Sequence, residues 1–594
     1  MRAKSKKTGG YTVYAVSGTN TISFTIDFRD ANRKGLLGFA VERIDHHRGE
    51  RKFIDGYKVF KKLVPKPTPD LTVSTYTHPV QSFVWDDFTG YPDRKYTYFF
   101  YPLKGKPDNL DRSAKPIEVD ISTEPLFSNK EHDIFFNRGI ASSQAYRRRF
   151  YNLRPDEIRN DKLRAQAMEW LSRSLDEAIL KFINEAKKGE TILGCFYEFR
   201  YMPIVEAFAQ AAKRGVKLKI IIDAKNKTTK GTDGKRQPPF PREENVAAIK
   251  KARLPMKNII KREASTNNIQ HNKFMVRLDK QGQPQAVWTG STNISMGGIH
   301  GQTNVGHWVR NRQVARDFAD YWKILSKDPG GKTGDDSKIV RQKNKDLRDA
   351  IEGLQPNIQF TSWADIPDGI TTIFSPRSGS DILETYVKMF DNATDIACIT
   401  LAFGINQLFK DSIIDNTSSG QLSFFLLEKE DKPRKGSKAP FVFIGAKQNA
   451  YKAWGSYLAS DKLHGWTRET FTRGLKLNMH VAFIHSKFLL VDPLSADPVV
   501  VTGSANFSKA STNSNDENMM IIRGNQRVAD IYYTEFNRLF NHYYFRSVYN
   551  NVKKNKRSST VSIFLDESGK WLEKYKRGTF RYKKIERLSK MKGF

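Results

Sequence analysis

One pattern occurs twice in this chain, and it limits the fold more than any other feature. His271-Asn272-Lys273 is followed by Gly290-Ser291-Thr292-Asn293, and His485-Ser486-Lys487 by Gly503-Ser504-Ala505-Asn506. The surroundings repeat as well. The apolar run Thr191–Phe196 is followed by a stretch at 203–213 with helical spacing (Val205, Phe208, Ala209, Ala212), then by a β-branched run at 218–222. Residues 395–401 and Leu422–Leu427 take the corresponding places in the second half, and helical patterns at 313–325 and 526–540 close the two halves. Strand, helix, strand in that order argues for a sheet flanked by helices. A repeat this long means two similar domains rather than a solenoid.

The expected architecture is therefore α/β, with two similar domains of mixed, mostly parallel sheets. Residues 1–124 are patterned differently. Ile22, Phe24, Ile26 and Phe28 alternate with polar residues, as do Tyr96, Tyr98 and Phe100, and Gly90-Tyr91-Pro92-Asp93 marks a turn. Short alternating runs predict a small β-sandwich. The chain divides into 1–124, 125–345, 346–550 and a basic tail, 551–594.

The tail holds 14 Lys or Arg against 4 Asp or Glu, interleaved with Trp571, Tyr575, Phe580 and Tyr582. That mix suits phosphate contacts with base stacking, or an amphipathic terminus packed on the body. Segment 327–338 reads as an exposed linker. Its Gly330-Gly331-Lys332-Thr333 resembles a phosphate-binding loop, but it follows a helix, and Ser326 replaces the first glycine, so nucleotide binding is excluded.

The formal net charge is +35. Such a field gathers polyanions, with nucleic acid the first expectation and an anionic membrane or phospholipid the second. The two cysteines, Cys195 and Cys398, sit in apolar runs and exclude a disulfide framework. No apolar run approaches the length of a membrane span, and the expected location is the cytoplasm. His46 and His47 lack a third ligand at metal spacing. No metal and no cofactor is expected.

Alternation puts the His and Lys of each motif on one face of a strand. A following hairpin strand brings Asn293 beside His271 and Lys273, and Asn506 beside His485 and Lys487. A phosphodiester needs such a set twice: one imidazole to attack phosphorus, one to protonate the leaving oxygen, and cations and amides to hold the non-bridging oxygens. Either motif alone means little; two copies in two similar halves are not expected by chance.

His-x-Lys-x4-Asp followed by Gly-Ser-x-Asn, present twice, resembles the phospholipase D superfamily. His485, Lys487, Asp492, Gly503, Ser504 and Asn506 fit that pattern, and Ser291 stands where Ser504 does. The resemblance implies two domains sharing one site, a phosphohistidine intermediate, and Glu517 as the carboxylate that orients a catalytic histidine. It leans to His271 as nucleophile and His485 as general acid.

The first half departs from the pattern twice. Asp279 comes one residue late after Lys273, a shift that a bulge could absorb. Gln302-Thr303-Asn304 also stands where the second half has Asp516-Glu517-Asn518. The first histidine is thus expected to lack its own carboxylate, with Gln302 as substitute acceptor.

The superfamily includes lipases, nucleases and lipid synthases, so the fold leaves the substrate open. Lys225, Lys227 and Lys230 follow the second strand of the first half, and Lys435 and Lys438 the matching strand of the second. Basic loops around one cleft favour a nuclease acting on DNA or RNA. A phospholipase D acting on lipid headgroups is the alternative, and a weakly active nucleic-acid binder the third reading.

Overall fold

The computed structural model describes the whole chain except residues 69–70, 140–142, 227, 231–235, 265–267, 357, 359, 361–364, 380, 415–420, 434–440, 459–480 and 555–563. At 229, 230, 236, 237 and 551–554 it describes the backbone alone. Each half is built on a seven-stranded sheet. The first runs His132–Phe136, Val305–Val309, Pro284–Gly290, Lys273–Leu278, Thr191–Phe196, Lys217–Asp223, Ile259–Arg262. The second repeats this order as Gly369–Ser375, Glu517–Arg523, Val499–Gly503, Phe488–Val491, Ile396–Leu401, Leu422–Leu427, Ala450–Trp454.

The two similar α/β domains expected from the sequence are present. Their sheets are mixed, but not mostly parallel: each has two parallel and four antiparallel pairings. Crossovers, three of the four carrying an α-helix among the described residues, make the parallel pairs. Beyond them the chain turns back in connections too short for a crossover, such as the one from Lys273–Leu278 to Pro284–Gly290. The central strands are covered on both faces, so Leu422–Leu427 is apolar almost throughout and wholly buried.

Between the two sheets lie the helices Arg312–Leu325 and Gln526–Lys554. In the first, Val314, Phe318, Tyr321, Trp322 and Leu325 share one buried face, and Asn311 caps the start by accepting from the amides of Gln313 and Val314. One core combines Val276 and Cys195 of the first sheet with Cys398, Leu490 and Val500 of the second. Tyr321 stacks on Phe374 across it, ring centroids 4.4 Å apart. Burial of a large apolar side chain contributes roughly 1.5–3 kcal/mol, so this core holds the halves in one relation.

The amino-terminal region forms two main antiparallel sheets, beside the short pair Asp55–Gly56 and Val73–Ser74, and the inner faces of the main sheets meet through Tyr11, Val13, Phe24, Phe39, Tyr96 and Tyr98. The carboxy-terminal segment completes that core. Trp571 and Tyr575 are buried against Phe83, with centroids 5.4 and 5.0 Å away, and Phe580 stacks on Tyr451. The rings of Trp571 and Tyr575 are core, not base-stacking platforms. The packing alternative for the tail is the one realised here.

Candidate active site

The two His-x-Lys segments reach one point from opposite sides. The rings of His271 and His485 are 6.3 Å apart between centroids, at 77°, and both are buried. Neither lies in the strand proper; the strands begin at Lys273 and Phe488, and the histidines occupy the segments just before them. Those segments are held across the boundary between halves. Gln270 pairs with Asp516, and Thr303 with Ile484, in isolated parallel bridges. The His271 amide donates to the Asp516 carbonyl at 2.9 Å, and the His485 amide to the Thr303 carbonyl at 3.2 Å.

Each imidazole is oriented by the opposite half. His271 Nδ1 lies 2.9 Å from Glu517 Oε2, and His485 Nδ1 lies 2.8 Å from Asn304 Oδ1. Ser504 Oγ donates to Glu517, and Ser291 Oγ to Asn304, each at 2.8 Å. Asn304 Nδ2 donates to the Gly298 carbonyl, which leaves Oδ1 to face the imidazole. Two expectations are corrected. Asn304, not Gln302, is the counterpart of Glu517. Counting forward shows it, because each lies eleven residues past the Asn of its Gly-Ser-x-Asn motif. Gln302 offers its backbone carbonyl to Asn137 Nδ2 at 2.7 Å. The first histidine, moreover, has the carboxylate, and the second has the neutral amide, because the orienting groups cross over.

Lys273 and Lys487 are buried beside the histidines, and each ammonium donates to the carbonyl of its own motif's His, Lys487 at 2.6 Å. Asn293 Nδ2 donates to Glu198 Oε1 at 3.0 Å and keeps a second N–H. Asn506 stands at the matching turn, partly buried. Gly290 and Gly503 open these turns because a Cβ there would strike the carbonyl oxygens of Val305 and Asn518.

The motif acids do different work. Asp492 accepts from the backbone amides of Thr394, Asp395 and Ile396, tying its strand to the neighbouring one. Asp279 caps its own hairpin, accepting from the amides of Gln281 and Gln283, and the predicted irregularity lies at Arg277/Leu278.

Burial dominates the electrostatics. Desolvation, then the charges of the two lysines, pushes both imidazoles well below the ordinary histidine value. Desolvation pushes Glu517 up to about 7, against the pull of Lys273, and brings Lys273 down to about 8, against the pull of Glu517. Lys487 falls well below its ordinary value, by burial and by the nearby Lys273 charge. The empty site thus disfavours positive charge on both imidazoles, and a phosphodiester anion bound between them and the two lysines would favour it.

Sequence reasoning missed a pair of clamps. Asp223 ends one parallel strand and accepts from the amide of Gln270, the residue before His271, at 2.9 Å. Glu428 follows the matching strand and accepts from the amides of Ala482, Phe483 and Ile484 at 2.8, 2.9 and 2.8 Å. The signal was an acid ending an apolar strand at the same place in both halves. Arg262, fully buried, was missed too. It pairs with Asp516 and, through Asp328, with the start of the linker. The linker is therefore anchored where it begins and exposed from Lys332.

Of the basic-loop residues, Lys225 is buried beside Asp223. Its burial removes it as an exposed phosphate contact. Lys230 lies in the short strand Thr229–Lys230, and Lys227, Lys435 and Lys438 lie outside the described residues. Among the other histidines, His300 bonds Tyr201, and His307 bonds His132 and Tyr532. Among the described residues no His, Cys, Asp and Glu cluster is disposed to hold a metal ion, and no helix is long and apolar enough to cross a membrane.

A family model described as "Cardiolipin synthase, PLD-like domain" matches the chain twice, over residues 179–325 and 395–540. No curated protein sequence matches it. Among solved structures the chain is similar to polyphosphate kinase from Porphyromonas gingivalis (10% identity over 60% of this chain and 46% of that one, TM-score 0.34). It therefore spans under half of that protein. It is also similar to phosphatidylserine synthase from Haemophilus influenzae (10% identity, 65% and 92%, TM-score 0.40). A third is the phospholipase D family member Nuc from Salmonella typhimurium (24% identity, 26% and 87%, TM-score 0.19). With one family domain in each half and a His-x-Lys pair from each meeting at a single point, the chain belongs to the phospholipase D superfamily.

Proposed function

We propose that this protein is a metal-independent nuclease that cleaves phosphodiester bonds through a phosphohistidine. The observation that carries the chemistry is the facing pair His271 and His485, buried with a lysine beside each. His271 attacks phosphorus through Nε2, and the bond to the leaving oxygen breaks. His485 gives that oxygen its proton. Water then attacks the phosphohistidine, losing a proton to His485, and His271 is released. Lys273, Lys487, Asn293 and Asn506 hold the non-bridging oxygens.

The orienting groups support this assignment of roles. Glu517 stabilises the positive charge that develops on His271 when it becomes phosphorylated. Asn304 carries no charge, so protonated His485 gives up its proton more readily.

The net charge of +35 supports nucleic acid as substrate. Incubation with single- and double-stranded DNA and with RNA in excess chelator tests the reading. Cleavage is expected, declining steeply as salt rises. Release of phosphatidic acid from vesicles with every nucleic acid left whole would overturn it. That second outcome is the phospholipase D reading, favoured by one observation: Phe403, beyond the strand Ile396–Leu401, is 77% exposed.

A further inference from the structure

The outer strand His132–Phe136 runs antiparallel to Val305–Val309, with Phe136 opposite Val305. The residues after it therefore lie beside Thr303 and Asn304. Asn137 Oδ1 accepts from the Asn304 amide at 2.8 Å, and a Cβ on Gly139 would sit 2.6 Å from Thr303 Cα. Thr303 in turn holds the His485 amide. Arg138, between Asn137 and Gly139, is thus a close neighbour of the catalytic wall on the His485 flank.

Arg138 is partly exposed, and its guanidinium covers the Trp170 ring at 4.3 Å; Arg149 reaches the same ring at 5.9 Å. Behind it Arg173 and Arg538 both bind Glu535, at 2.8 and 2.5 Å, and Arg538 also donates to the Arg138 carbonyl at 2.8 Å. Two guanidinium groups thus share one carboxylate, and those of Arg138 and Arg149 stand beside them over Trp170. Among the described residues Arg138 makes no ion pair, and the buried Arg538 Nη1 has no hydrogen-bond partner.

Two other buried arginines are matched by acid. Arg262 has Asp516 and Asp328, and Arg43 has Asp87. On the other flank, Arg377 follows the corresponding outer strand, and Glu352 and Asp381 oppose its charge. Guanidinium groups are more concentrated on the His485 side, where Arg149, Arg173 and Arg538 stand near Arg138. Burial, with the charges of Arg173, Arg538 and Arg149, drives the Arg138 guanidinium well below its ordinary value; an anion would relieve that repulsion. A planar guanidinium fits a phosphate by two parallel hydrogen bonds.

We propose that Arg138, backed by Arg149, Arg173 and Arg538, binds a phosphate of the substrate other than the one being cleaved. The substrate is then a chain carrying repeated phosphates, a nucleic-acid strand that leaves the site on the His485 side. This rests on the nuclease reading and deepens it.

The test compares wild type, Arg138→Gln and Arg138→Lys on a labelled 20-nucleotide DNA and on bis(p-nitrophenyl) phosphate, which has no second phosphate. Arg138→Gln is expected to lower the ratio of kcat/KM for DNA to kcat/KM for the small diester about tenfold, through KM. It is also expected to flatten the dependence of log KM on log salt by about 1. Arg138→Lys, keeping the charge, retains the slope, which separates a binding role from misfolding. Equal losses on both substrates, or an unchanged ratio and slope, would overturn the site. If the wild type cleaves the small diester and leaves DNA intact, the nucleic-acid assignment fails. Calorimetric titration with tripolyphosphate then decides the anion site separately: weaker binding by Arg138→Gln keeps it, equal binding removes it.

Discussion

Glu517 and Asn304 occupy equivalent places and differ by one charge, and in the proposed mechanism that difference divides the labour between two otherwise matched imidazoles. Glu517→Gln keeps the shape and removes the charge. It is expected to lower kcat by about 100-fold or more, as loss of an orienting carboxylate does elsewhere, with little change in KM. The pH profile of kcat/KM gives a second check. Glu517 must be ionised, so activity falls as pH drops through about 7. Lys273 must be protonated, so activity falls as pH rises through about 8. Glu517→Gln should remove the acid limb. The histidines, lysines and asparagines of the site were legible as residues because their spacing is strict. Which acceptor serves which imidazole was not, because hydrogen bonds across a domain boundary leave no mark in local sequence.

The same limit holds for elements. The strands Thr191–Phe196 and Leu422–Leu427 could be read to the residue, since burial on both faces demands unbroken apolar runs. Sheet direction was misjudged beyond the crossover units, because alternation says nothing about which way a strand points. The partners of the clamps at Asp223 and Glu428 left no local signature, because the backbone amides they hold lie far along the chain. Glu428→Ala would remove the acceptor shared by the amides of Ala482, Phe483 and Ile484, all buried residues. At roughly 1–3 kcal/mol for each unsatisfied group, a loss of about 3 kcal/mol in unfolding free energy is expected. Denaturant titration measures it, and Glu428→Gln, which keeps an acceptor oxygen, should lose less.

For the whole molecule, the core shared by both sheets predicts that continuity of the chain is dispensable once folding is complete. A protease site placed in the exposed stretch from Lys332 to Asp336 should give, after cleavage, two fragments on a denaturing gel. They should still run as one particle in size-exclusion chromatography, with turnover retained. Dissociation or inactivity on nicking would show that the linker, not the shared core, unites the halves.

The crossed orienters carry a further consequence. A small slide of one lobe past the other would tilt His271 away from Glu517 and His485 away from Asn304 in the same movement. Neither imidazole can be detuned by such a slip alone, so under the proposed mechanism mechanical looseness would cost both steps of turnover together.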